Sequence, residues 1–313
     1  FTASQGLLLM IPSLYKVAGE MLPLVIHVAA RSISTHALSI FGDHQDIYAT
    51  RMSGVCMLCS NNPIEAYHLA NVAHLAAIKS SLPFIHFFDG FRTSHEINKI
   101  RLINNDKIKE LIDKKSLNDF RAKAINPERP NTRGTAQNED TYFQCMEVRN
   151  KFYEEAILDV CYYMDKVNKI CKTNYKPFNY YGADNPDTII IAMGSVCDTI
   201  HETVSYLNDK YNKKYGVISV HLYRPFSNKH LLSKIPNSVK NIVVLDRSKE
   251  AGSNGEALYL DVCSALKDMN VNIYGGRYGL SSKNTTPAHI KAIFDYVEEG
   301  KIHNNFTIGI NDD

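Results

Sequence analysis

GVCMLCSNNPIEAYHLANVAHLAAIKSSLPFIHFFDG, residues 54–90, places an apolar run, a helical period and a second apolar run in direct succession. The runs Gly54 to Leu58 and Pro83 to Phe88 are too short for lone helices and are bounded by turn formers, so both are expected to be strands. The helix between them opens at Asn62, with Pro63 at its first position and Glu65 three residues past the cap, where side-chain oxygens can take up free amide groups. Leu69, Val72, Ala73 and Ala76 form its apolar stripe. Two strands flanking one helix of this length make a parallel crossover unit, and the fold class is α/β.

Reading outward, Leu24 to Ala30 supplies a third strand, and a helix over Ser4 to Ala18 should kink or break at Pro12. Further helices are expected over Ile108 to Ala122 and Val148 to Lys172. Between Asn126 and Met146 no period is visible, and the pair Tyr142 and Phe143 suggests that this loop packs against something. Asn, Tyr, Gly, Pro and Asp crowd together from Thr173 to Asp187, which marks a domain boundary. The alternation then resumes with strands at Thr188 to Ala192, Val217 to Leu222, Asn241 to Leu245 and Val271 to Tyr274. Helices are expected from Ser195, capped in partnership with Asp198, from Glu256 to Leu266, and from Thr286-Pro287 onward. The chain thus reads as two doubly wound α/β domains, residues 1–172 and 173–313.

The 313 residues are 44% hydrophobic and 22% charged, enough for two ordinary cores. A formal net charge of +2 is too small to draw nucleic acid or an anionic membrane surface. Every apolar stretch is interrupted by proline or charge well before the roughly 18 residues a membrane helix needs. Seven cysteines without regular spacing fit a reducing compartment, the cytoplasm or an anaerobic organelle. Cys56 and Cys59 have redox or metal spacing, yet they stand in an apolar strand with no second pair, and read as buried thiols. No metal site is assigned. GxGxxG, GxxxxGK[ST], GxSxG and HExxH are all missing, as is the cysteine run of an iron-sulfur protein. Phe1 stands where an initiator methionine would, and the chain reads as part of a longer one.

Three segments gather acid-base groups at strand ends: residues 29–36, 40–46 and 87–96. In an open parallel sheet ligands bind beyond the carboxyl ends of the strands, so all three belong at that edge. Arg31, just past an apolar strand, can offer a fixed fork of donors to a substrate carboxylate. The competing reading is an ion pair with Asp43 or Asp46. Asp89 and Gly90 read as a turn, with Thr93 capping a helix and Glu96 in the capping-box position; Phe91, Arg92 and His95 are left without a structural reason. The loops 246–250 and 275–279 face either a partner domain or solvent. On residues alone, a catalytically silent scaffold that docks partners remains the alternative to an enzyme.

Seven strings carry a family resemblance: TASQGLLLMIP (2–12), HVAAR (27–31), LSIFGDHQD (38–46), HFFDGFRTSHEI (86–97), RGTAQN (133–138), LYRPF (222–226) and GRYGL (276–280). Together, and in this order, they resemble pyruvate:ferredoxin (or flavodoxin) oxidoreductase and its NADP-reducing fusion variant. The resemblance implies a first domain like the one that binds the aminopyrimidine of thiamine diphosphate, truncated at its start, and a second like the transketolase C-terminal domain. It also implies oxidative decarboxylation of pyruvate to acetyl-CoA and CO2, with thiamine diphosphate, Mg2+, 4Fe-4S clusters and coenzyme A in the full-length enzyme. Implied partners are ferredoxin, flavodoxin or a fused NADP reductase, the remaining domains of the chain, and a second copy in a homodimer. By motif, Arg31 becomes the arginine that holds the pyruvate carboxylate, with His44 and Arg92 as candidates to support it. The cofactor-binding residues of the family are not matched here, and this piece alone is expected to hold no cofactor fully and to be inactive.

Overall fold

A computed structural model describes residues 1–310. Its strands, in chain order, are β1 (Leu24–Ala30), β2 (Cys56–Ser60), β3 (Pro83–Asp89), β4 (Phe178–Gly182), β5 (Thr188–Ala192), β6 (Tyr215–Val220), β7 (Leu222–Arg224), β8 (Asn241–Asp246), β9 (Asn272–Arg277) and β10 (Phe306–Thr307). They form two sheets, ordered β1-β3-β2-β7 and β10-β9-β8-β5-β6-β4. Pairing is parallel except for β7 on β2 and β4 on β6.

The decisive stretch folds as its pattern requires. Asn62 accepts the Glu65 amide at 3.0 Å, Pro63 opens the helix Pro63–Ser80, and the Glu65 carboxylate turns back to the Asn61 amide at 2.8 Å. The strands are buried on both faces, which is why they read as unbroken apolar runs. Met57, Cys59, Ile85 and Phe87 point one way, into a core shared with the second sheet. Cys56, Leu58 and Phe84 point the other way, toward Pro63–Ser80 and Asn150–Cys171. On the far side, β5, β6 and β8 bury Ile190, Val217 and Val243 against Val196–Tyr211 and Pro287–Glu298. Among the described residues no helix is long and apolar enough to cross a membrane.

The first helix breaks as Pro12 leads one to expect, into Gln5–Leu8 and Ile11–Gly19, with Pro12 in the first turn of the second. Several other expectations change. The helix expected over residues 108–122 is also two, because Asp113 takes the Ser116 amide at 2.7 Å and starts a new one. The supposed loop 126–146 contains the helix Glu139–Glu147, capped by Asn138. Tyr142 and Phe143 on it are 57% and 68% exposed, so the packing expected of them is not found within this chain. The strand expected over Val217–Leu222 breaks at His221, where the chain leaves the second sheet and pairs Leu222 with Leu58 in the first.

Candidate functional site

At the carboxyl edge of the first sheet, β1 and β3 end side by side, Ala30 opposite Asp89. Arg31 follows directly. Its backbone amide donates to Asp46 Oδ2 at 3.0 Å, and the same carboxylate takes the amides of Ser4 at 2.7 Å and Ile47 at 2.8 Å. Burial pushes the Asp46 carboxyl up to about 7, against the pull of those three donors. Asp43 is likewise committed, to the Gln45 amide at 3.0 Å and the Ser281 amide at 3.2 Å. Neither acid pairs with the Arg31 guanidinium, so the ion-pair reading gives way. Among the described residues no carboxylate lies within ion-pair distance of that side chain, and its Nε is buried without a hydrogen-bond partner. What does touch the guanidinium is the Phe91 ring, 4.8 Å from Cζ to centroid.

Asp89, which a local reading makes a turn residue, is fully buried and central. His44 Nε2 meets its Oδ1 at 2.5 Å, Arg247 Nη1 reaches Oδ2 at 2.6 Å, and Ser195 donates both its amide, at 2.9 Å, and its hydroxyl to Oδ2. Burial alone would raise this carboxyl; Arg247, His44 and Ser195 outweigh it and hold it far below the usual carboxylate range. Gly194 makes the approach fit. Its φ is +84°, and a Cβ there would stand 2.9 Å from Asp89 Oδ1 and 3.1 Å from His44 Nε2.

Ser195 therefore does not cap its helix as its spacing to Asp198 suggests: its side chain makes no cap bond, and Asp198 instead accepts from Asn62 Nδ2 at 3.1 Å. Thr93 does not cap either. It begins a single 3-10 turn, Thr93–His95, and its hydroxyl donates to the Asn61 carbonyl at 3.2 Å.

The second half supplies the rest of the clamp. Arg247 gives its carbonyl to the His44 amide at 2.9 Å, and Asp246 accepts the Tyr48 hydroxyl at 2.6 Å. Ser282 exchanges bonds with Gly42, its amide donating to the Gly42 carbonyl at 2.7 Å and its Oγ accepting the Gly42 amide at 2.8 Å. Arg92, exposed, reaches the Ser282 carbonyl at 3.1 Å and Asn284 Oδ1 at 2.6 Å. Of the two residues proposed to support Arg31, His44 thus acts on Asp89 and Arg92 ties the two halves. Between the halves lies a cleft of about 370 Å3 bounded by Phe91, Arg92, His95, Ser195, Arg247 and Lys283. Cys56 and Cys59 are buried in β2, and burial raises both thiols. Among the described residues no group of three or more His, Cys, Asp or Glu side chains is arranged to hold a metal ion.

Residues 1–164 match the family described as pyruvate flavodoxin/ferredoxin oxidoreductase, thiamine diphosphate-binding, and residues 186–290 match pyruvate:ferredoxin oxidoreductase core domain II. The whole chain is 53% identical to a pyruvate-flavodoxin oxidoreductase of Enterobacter agglomerans and 51% identical to the pyruvate:ferredoxin oxidoreductase of Moorella thermoacetica, and spans 27% of the length of each. A pyruvate-flavodoxin oxidoreductase from a Nostoc species is 47% identical, with 78% of its length covered. Among solved structures, a 2-oxoglutarate:ferredoxin oxidoreductase from Magnetococcus marinus shares the fold over 96% of this chain and 53% of its own, with a TM-score of 0.60 at 16% identity.

Proposed function

Because the chain belongs to the pyruvate:ferredoxin/flavodoxin oxidoreductase family, we propose that it forms part of an enzyme converting pyruvate and coenzyme A to acetyl-CoA and CO2, and that Arg31 binds the pyruvate carboxylate. One observation carries the second half of this reading. A half-buried arginine stands where the parallel strands β1 and β3 end, its Nε buried and unpartnered and, among the described residues, no carboxylate within ion-pair distance. Leaving a buried donor unsatisfied costs about 1–3 kcal/mol, a cost that an arriving carboxylate removes by accepting two parallel bonds from the guanidinium fork.

Thiamine diphosphate, when bound, supplies the carbanion chemistry of the reaction. This chain's share is to hold the substrate. The magnesium diphosphate is assigned to parts of the enzyme outside this stretch, as the family resemblance implies. Iron-sulfur clusters, the coenzyme A site and the contact with ferredoxin or flavodoxin are assigned there too. The division at residues 172 and 173 is supported by the two family matches that flank it, although β7 crosses back to the first sheet.

In the full-length enzyme Arg31→Ala should lower kcat/KM for pyruvate by roughly a hundredfold, the scale of a lost charge-assisted bidentate contact. Arg31→Lys should restore little, since a point charge does not reproduce the fork. An unchanged pyruvate KM in Arg31→Ala would defeat the assignment.

A further inference from the structure

We propose that Phe91 is the positioning residue for Arg31, holding the guanidinium against its ring so that the N–H donors stay aimed and free for an anionic substrate. The inference rests on the substrate-binding reading of Arg31 and extends it to how that side chain is kept ready.

Arginine has many rotamers, and an unpaired one at a sheet edge would spread over them. Among the described residues the side chain makes neither an ion pair nor a hydrogen bond, while the backbone amide of the same residue donates to Asp46. An acidic neighbour could fix the guanidinium, but it would occupy the donors a substrate carboxylate needs. An aromatic face attracts the cation through its quadrupole and leaves those donors unoccupied. Phe91 sits at that face position, 4.8 Å from Cζ.

The ring is itself held from several sides. Phe91 has φ +58°, a conformation that a residue with a Cβ adopts only when its surroundings enforce it. Its amide donates to Ser94 Oγ at 2.9 Å, its ring stacks on His95 at 4.7 Å and 11°, and Phe41 meets it edge-on at 5.1 Å. Gly90 just before it donates its amide to the Ala30 carbonyl at 3.0 Å. A Cβ at Gly90 would stand 2.6 Å from that same carbonyl and 3.1 Å from Arg31 Cγ, so the loop lies directly against the arginine stem. Asp89, one step earlier, is fastened to the second half of the chain by Arg247 and Ser195. The second half thereby reaches the arginine stem through Asp89, Gly90 and Phe91.

The test uses the full-length enzyme with three substitutions at this position. Phe91→Leu, which keeps an apolar side chain but no π face, should raise the pyruvate KM about fivefold, the scale of a partly exposed cation–π contact, with kcat at saturating pyruvate within about twofold. Phe91→Tyr keeps the π face and should restore the KM. Phe91→Gly relieves the left-handed backbone while deleting the ring, so it should raise KM as Phe91→Leu does without lowering the melting temperature. A melting temperature and kcat that fall together in Phe91→Leu with KM unmoved would mean that the ring only packs, and would overturn the proposal. If Arg31→Ala raises KM but neither Phe91→Leu nor Phe91→Gly does, the positioning role alone fails. If Arg31→Ala leaves KM unchanged, the substrate reading fails and takes this inference with it.

Discussion

At Asp89 a buried carboxylate is balanced by Arg247 on one oxygen and His44 on the other, with Ser195 completing the shell. Desolvating such charges is costly, and the arrangement persists only while each partner is present. Asp89→Asn keeps the shape and removes the charge, leaving Arg247 buried against a neutral group. It should destabilise the chain by about 3–5 kcal/mol in urea unfolding, and a loss under about 1 kcal/mol would show that the cluster is not balanced in this way. Gly194→Ala should cost roughly 3 kcal/mol by pressing a methyl into the same carboxylate at a positive φ. Sequence reading placed Arg31 and the segments around Asp43 and Asp89 at one sheet edge, because strand ends are visible in an apolar pattern. It did not reach Ser195 or Arg247 as their partners. Ser195 stands 106 residues from Asp89, and a nearer partner, Asp198, satisfied the local capping rule. A tertiary charge outweighed a local preference, and nothing in the spacing announces that.

Elements whose burial is symmetric were readable, and those whose partners lie elsewhere in the chain were not. β5 has the bounds its apolar run suggests, since it is covered on two faces; β1 keeps its bounds too, with one face buried and the other half-buried at the sheet edge. β4 was hidden in the Asn- and Tyr-rich boundary because it is an edge strand, with pattern and composition set by one neighbour, β6. β7 was hidden because three residues carry no period, and its place beside β2 is fixed by the antiparallel pairing of Leu222 with Leu58. Caps behaved by the same logic. At Asn62 the cap is local, and its Nδ2 adds a bond to Asp198 in the second half. Asn62→Ala should therefore cost about 1–2 kcal/mol in chemical denaturation, at or above the ordinary value for a lost N-cap. A change near zero would mean that neither bond contributes to the folded state.

Across the molecule, buried groups of opposite habit set how stability follows pH. A line of hydrogen-bonded rings runs from the buried Ser60 through His86 and His27 to the exposed His74, at 2.8, 2.9 and 3.1 Å. Burial, and then the neighbouring His27 and His74, push His86 down to about 3 from 6.5. Below about 6.5 the unfolded chain therefore takes up a proton that folded His86 refuses. Its contribution is intact above that value and is lost as pH falls toward 3, at about 1.4 kcal/mol per pH unit. Asp46 and Asp246 act in the opposite sense. Burial raises them to about 7 and about 6 from 3.8, so they favour the folded chain below 3.8, and that advantage is lost as pH rises through their folded values. Between about pH 4 and 6.5 the slopes oppose each other, and the net curve of the unaltered chain is a poor diagnostic. Substitution separates them. His86→Gln carries a fixed packing cost at every pH but no proton to refuse, so its stability relative to the unaltered chain should improve by about 1.4 kcal/mol for each unit from pH 6 to pH 4. Asp46→Asn should do the reverse between about pH 4 and 7, gaining on the unaltered chain as pH rises. Urea midpoints at pH 4, 5, 6 and 7 for the three proteins decide the matter, and parallel curves for His86→Gln and the unaltered chain would show that His86 takes up its proton in the folded state as readily as in the unfolded one.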